Sequence, residues 1–90
     1  MDMNDKLTLK GGVSVHMENP EKGFLTDCES GDVYEINSTS RLIIDKCDGN
    51  NSLLEIYNFL MGFDANSTIN KDDIIDFANF LLESGLCLKV

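Results

Sequence analysis

The stretch Gly31–Gly49, GDVYEINSTSRLIIDKCDG, sets a strand pattern and a helix pattern end to end with almost nothing between them. In VYEIN, Tyr34 and Ile36 project to one face while Val33, Glu35 and Asn37 project to the other, so only the first face is wholly apolar. One side of this strand should therefore cover a core. The run Asn37, Ser38, Thr39, Ser40 offers several side-chain oxygens for a helix N-cap, with Ser38 the first choice, and SRLIIDKC continues as a short helix ended by Gly49.

Upstream, LTLKGGVSVHM (Leu7 to Met17) alternates apolar and polar residues on both sides of Gly11-Gly12, the pattern of a half-buried first strand interrupted by a bend or bulge. ENPEKG is a turn by composition, and FLTDCE followed by SGD reads as a second strand with a hairpin turn, making VYEIN the third. Downstream, Asn51 or Ser52 caps a second helix with Leu53, Ile56, Tyr57 and Leu60 at core spacing, and Gly62 with the polar run after Asp64 marks its end. Asn70 caps a third helix, KDDIIDFANFLLES, whose Asp72 and Asp73 suit the positive end of its dipole. Gly85 stops it, and LCLKV forms a strand-like tail.

This order predicts an α+β fold, a three-stranded antiparallel sheet followed by three helices, resembling a winged helix-turn-helix. The third strand is expected at a sheet edge unless the tail or a partner covers it, because short connections favour sequential neighbours. Ninety residues make one domain, residues 1–90, with 1–6 expected to be flexible. A composition of 42% hydrophobic and 26% charged residues with one Pro is that of a folded globular chain.

The net charge of -9 is spread along the chain, and no cluster of Lys and Arg offers a surface that would neutralise phosphates. Nucleic acid is thus an unfavourable partner; a cationic or mixed-charge peptide would be attracted, although solvated acidic faces with no binding role are the commoner source of such a charge. Cys28, Cys47 and Cys87 are odd in number and form no CxxC pair, so they read as reduced thiols of a cytoplasmic protein. No stretch has the length and apolarity of a signal peptide core or a membrane span. In that setting the NST triplets at Asn37 and Asn66 read as caps or turns rather than glycosylation acceptors.

Catalysis needs a nucleophile with a base, paired carboxylates in a pocket, or a metal site, and the sequence suggests none. His16 is the one histidine and falls in a strand pattern without a nearby cysteine, so no ligand spacing for zinc arises. Asp72 and Asp73 read as helix N-terminal charges, and the glycines of KGG and ESGD lack the lysine and helix of a phosphate loop. The expectation is a protein without catalytic residues, metal or cofactor.

The third helix carries more apolar surface than one core requires. With Ile74 at zero and roughly 100° per residue, Phe77, Ala78 and Leu81 form a central stripe. Ile75 and Leu82 flank it on one side and Phe80 on the other. The arc spans roughly 220°, interrupted by Asp73 and Ser84, where about 100° suffices for a surface helix. Either the small domain wraps this helix more fully, or an exposed strand edge beside an apolar helical flank forms a groove that adds an extended peptide as a further strand.

FLTDCESGDVYEINSTSRLIIDKCDG, then SLLEIYNFL, then DDIIDFANFLLESGL resemble the PqqD-like family of leader-peptide-binding proteins, also called RiPP recognition elements. The resemblance runs from about Leu7 to the C-terminus. It rests on the Y-x-I-N-x-T of Tyr34 to Thr39, on Asp48-Gly49 and on the FLLESGL of Phe80 to Leu86, whose force lies in order and spacing. It implies a small winged-helix-like, non-catalytic domain that binds the leader of a ribosomally made precursor and presents it to a modifying enzyme.

In such domains the leader docks as an antiparallel strand on the third strand, in the cleft toward the third helix. Carried onto this chain, the resemblance implies a peptide edge at Asp32, Val33, Tyr34, Glu35 and Ile36, and a helical wall at Ile74, Ile75, Ala78, Leu81 and Leu82, with Phe77 an addition. Tyr34 and Ile36 face either the cleft or the core alone, since alternation does not say which. The first helix carries Leu42, Ile43 and Ile44 where relatives often place a bulky aromatic, which leaves the modification system open between a radical SAM enzyme, a lasso-peptide protease and cyclase pair, or another.

Two further readings stand beside this one. A winged-helix nucleic-acid-binding regulator would follow from architecture, although Asp72, Asp73, Asp76 and Glu83 accompany a single Lys71 on the third helix. An accessory subunit that binds its enzyme without peptide affinity would look the same in sequence. The exposed edge makes a monomer or a weak homodimer the expected state.

Overall fold

The computed structural model describes residues 1–63 and 69–90. Among these residues six strands form two antiparallel sheets of three, accompanied by three helices. The first sheet has β1 (Lys6–Leu9) at its centre, between β5 (Asp48–Ser52) and β6 (Cys87–Lys89). The second is the meander β2 (Val13–Asn19), β3 (Lys22–Asp27) and β4 (Val33–Ile36). The helices are α1 (Ser38–Asp45), α2 (Leu53–Phe63) and α3 (Lys71–Glu83).

The α+β class therefore stands, but the order of three strands followed by three helices does not. The expected first strand, Leu7 to Met17, is two strands in two sheets. Gly12 adopts φ +92° and Val13 N–H closes a turn on the Lys10 carbonyl at 3.2 Å, so the chain leaves one sheet and enters the other. The period-2 pattern continues through that turn because each strand buries one face.

Gly49 does not end α1. That helix closes at Lys46, and Gly49 lies in β5, which pairs with β1 through Thr8↔Asp48 and Lys6↔Ser52. The tail also pairs, with Leu9↔Cys87 placing β6 on the other edge of β1. Ahead of β1, the Met3 and Asp5 carbonyls accept hydrogen bonds from Leu54 N–H and Leu53 N–H at the start of α2.

The caps follow the composition, with one correction. Asn37, not Ser38, caps α1, its side-chain oxygen accepting from Ser40 N–H at 2.8 Å. Of the two candidates for α2, Ser52 serves, exchanging bonds with Glu55. Asn70 caps α3 in a reciprocal box with Asp73. Helix α2 passes through Gly62 to Phe63; the proposed stop after Asp64 and the triplet at Asn66 lie outside the described residues.

The core lies where the helices meet both sheets. Leu7, Leu25, Leu53, Ile56, Ile74, Leu81 and Leu86 are fully buried, joining β1, β3 and all but the first helix, while Ile43 and Ile44 bring in α1. Among the described residues no helix is long and apolar enough to cross a membrane.

Candidate binding cleft

Among the described residues strand β4 is the terminal strand of its sheet and pairs only with β3, in the register Leu25↔Tyr34 and Gly23↔Ile36. Asp27 N–H donates to the Asp32 carbonyl at 3.0 Å, so 27 and 32 form a hydrogen-bonded pair. Alternation along an antiparallel ladder then makes Tyr34 and Ile36 the residues bonded to β3 and turns the N–H and C=O groups of Val33 and Glu35 outward. Val33 is 58% exposed. The edge thus presents unused backbone donors and acceptors at alternate residues.

The face of β4 toward the helices is that of Tyr34 and Ile36. Ile36 is buried in the core, and the half-buried Tyr34 ring meets Phe80 of α3 edge to face, with centroids 5.4 Å apart. Phe80 in turn stacks on Phe77 at 6.0 Å. Three rings therefore run from the strand up one flank of the helix.

The implied helical wall divides into three groups. Ile74, Ala78 and Leu81 point into the core and are buried. Ile75 and Leu82 lie at roughly 80–100° around the helix from Ile74, close to Lys71 at roughly 60°. Lys71 Nζ sits 5.6 Å from the centroid of Tyr57 on α2, which makes this the flank toward α2, away from β4. Only Phe77 shares the β4 side, together with Phe80.

Phe80 is the cleft residue that sequence reasoning left out of the site. Its angular position on the opposite flank from Ile75 was legible; what the sequence lacked was the side on which β4 lies. The Tyr34–Phe80 contact supplies that.

Beyond the last residue of β4 the cleft opens into a hollow of about 330 Å³ between the beginnings of α1 and α3, lined by Asn37, Thr39, Ser40, Ile43, Ile69, Asp73 and Phe77. A larger cavity of about 400 Å³, lined by Met17, Pro20, Leu42, Leu60 and Phe63 among others, touches neither β4 nor α3. On the outer face of the meander Lys22 Nζ pairs with Glu35 at 3.4 Å.

The reactive residue types lie elsewhere. His16 is exposed on β2, opposite Phe24. Cys28 is exposed, and Cys47 and Cys87 are buried free thiols. Its pairing with Cys87 and its burial push the Cys47 thiol well above its ordinary range, and it donates to the Ile43 carbonyl at 3.3 Å. Among the described residues no group of three or more His, Cys, Asp or Glu is placed to hold a metal ion.

Asp27 closes the turn before β4. Its carboxylate accepts from Glu29 N–H at 2.9 Å and from Lys10 Nζ at 3.2 Å, which holds it below its ordinary value. The turn that launches β4 is thereby tied to the residue linking β1 and β2.

No family profile matches the chain. No curated protein matches it either. Among solved structures it is similar in fold to the structure of the heterocyclase TruD, with a TM-score of 0.66 at 17% identity over 96% of this chain. The chain spans 12% of the length of that protein.

Proposed function

We propose that this domain is a non-catalytic carrier for the leader segment of a ribosomally made precursor peptide, which it binds as an added strand on β4 and presents to a peptide-modifying enzyme. One observation carries the reading: the outward backbone groups of Val33 and Glu35 lie beside an aromatic wall of Tyr34, Phe80 and Phe77. A peptide extended along this edge gains main-chain bonds from the strand and side-chain contacts from the helix. Its residues that face α3 meet Tyr34 and the two phenylalanines, while the alternate ones stay in solvent beside Val33 and Glu35.

Support comes also from the PqqD-like resemblance of the sequence and from the likeness to part of a heterocyclase. In this reading a heterocyclase joins the radical SAM enzyme and the lasso-peptide protease and cyclase pair as a partner class. The arrangement of α1, α2 and α3 against the meander is then a winged helix put to peptide use. Nucleic acid does not fit, because the outer face of α3 presents Asp72, Asp76 and Glu83 to any approaching phosphate.

Calorimetry with the leader of a precursor encoded beside this gene tests the proposal. A leader of about eight residues gives a small interface and pays for its own ordering, so a dissociation constant of roughly 0.3–10 μM is expected. Absence of heat with every neighbouring candidate, from folded protein, overturns it.

A further inference from the structure

The cleft has a direction. Phe80 touches Tyr34 at one end, and Asp73 shares a hollow with Asn37 at the other. Seven helical residues rise about 10 Å and three strand residues extend about 10 Å, so α3 runs antiparallel to β4 along the same span. A strand added antiparallel to β4 therefore begins at the hollow and ends beside Val33.

The two ends differ in chemistry. At the Val33 end the wall is the rings of Tyr34 and Phe80. At the Asn37 end, Ile43, Ile69 and Phe77 supply apolar surface, while Thr39 and the Asp73 carboxylate supply oxygen. Asp73 is exposed and uses one oxygen to accept Asn70 N–H at 3.0 Å, and a carboxylate has acceptor sites to spare. An aliphatic stem with a cationic head fits that combination, since the stem covers apolar surface while the head reaches the carboxylate.

Among the described residues no lysine or arginine lines the hollow. Lys71 lies on the opposite flank over Tyr57, and Lys22 is paired with Glu35 on the outer face of the sheet. Asp32 and Asp73 stand at the two ends of the cleft in a chain of net charge -9, so an acidic segment is repelled.

We propose, resting on the strand-addition reading above, that the bound segment carries a lysine or arginine at its N-terminal end, seated in the hollow against Asp73, followed by apolar side chains at alternate positions that lie on Phe77, Phe80 and Tyr34. Selectivity is thus set by one basic residue and the apolar alternation after it.

A displayed library of random peptides of about nine residues, selected on the folded chain and then assayed on Val33→Pro, tests this. The expected winners share a basic residue with apolar residues at the second and fourth positions after it. Replacing that basic residue by Gln weakens binding about three- to fivefold on the native chain, and has no effect on Asp73→Asn, whose amide oxygen still accepts from Asn70. The Gln peptide on the native chain needs no altered protein. Winners that are lost on Val33→Pro but share no basic position, or a Gln effect that persists in Asp73→Asn, overturn the selectivity and leave strand addition standing. Winners indifferent to Val33→Pro, or no winners, overturn both.

Discussion

Strands β1 and β4 are each four residues long and sit in opposite circumstances. β1 is paired on both edges, by β5 and β6, segments more than thirty residues away in the chain. Its Leu7 is 0% exposed, and the Lys6 carbonyl accepts from Val90 N–H at 2.9 Å. Among the described residues β4 pairs on one edge only, with its immediate predecessor. The first arrangement closes the chain upon itself; the second leaves backbone bonding unspent beside an aromatic helix flank. Stability and binding should therefore separate between the two sheets.

The largest effect expected from breaking this contrast is on β1. Leu7→Ala removes a fully buried side chain at the centre of the stapled sheet and should cost about 2–5 kcal/mol. Urea unfolding measures it, and the fraction that remains folded should bind peptide as the native chain does. A loss of affinity in that fraction would show that the two sheets are coupled.

Val33→Pro reverses the pattern. The lost N–H points away from β3, and proline is tolerated on strand edges, so stability should change by no more than about 0.5 kcal/mol. Peptide affinity should fall at least about tenfold, because a donor vanishes and the ring stands in the path of the added strand. An unchanged affinity in a folded variant would move the docking edge away from β4.

The same contrast explains what the sequence could and could not tell. β4, α1 and α3 were legible because their side chains follow period 2 or 3.6 and their caps are short polar residues. Asp48–Ser52, DGNNS, has no apolar or β-branched residue, so its strand exists only through the edge that β1 offers it. The division of Leu7–Met17 was hidden for a related reason: alternation reports burial of one face and is silent on which sheet provides it. In the cleft, the strand edge was readable from the short connections. The flank of α3 that faces it depended on helix packing, which the sequence does not carry, and Ile75 and Leu82 proved to lie on the other side from Phe80.

Gly49→Ala tests the part of the stapled sheet that composition does not signal. Gly49 holds φ +84°, and an added Cβ would meet Val90 at an ordinary 3.5 Å, so the penalty is backbone strain alone. About 1 kcal/mol of destabilisation is expected in thermal unfolding, with Gly49→Asn recovering part of it. Hydrogen exchange should accelerate in β5 before it does in β3. Equal acceleration in both sheets would mean that β5 contributes nothing of its own.

The smallest effect concerns the tie between the two regions. Lys10, which follows β1, bridges to Asp27 at the end of β3, and the bond from Glu29 N–H together with that lysine lowers the Asp27 carboxyl below its ordinary 3.8. A group whose value is depressed by folding contributes stability that is present above its unfolded value and lost as pH falls through the folded one. The contribution is therefore complete at neutral pH and disappears below about pH 3.8. Asp27→Asn keeps an oxygen for Glu29 N–H but loses the charge, so its stability should lie below that of the native chain at pH 7 and converge with it in acid. Asp5 is lowered too, through Asp2 N–H and Lys89, but it anchors the stapled sheet. Acid should thus loosen the two sheets through different carboxylates: exchange at the turn before β4 should lose its acid sensitivity in Asp27→Asn and keep it in Asp5→Asn. The same response in both variants would show that the sheets open as one unit.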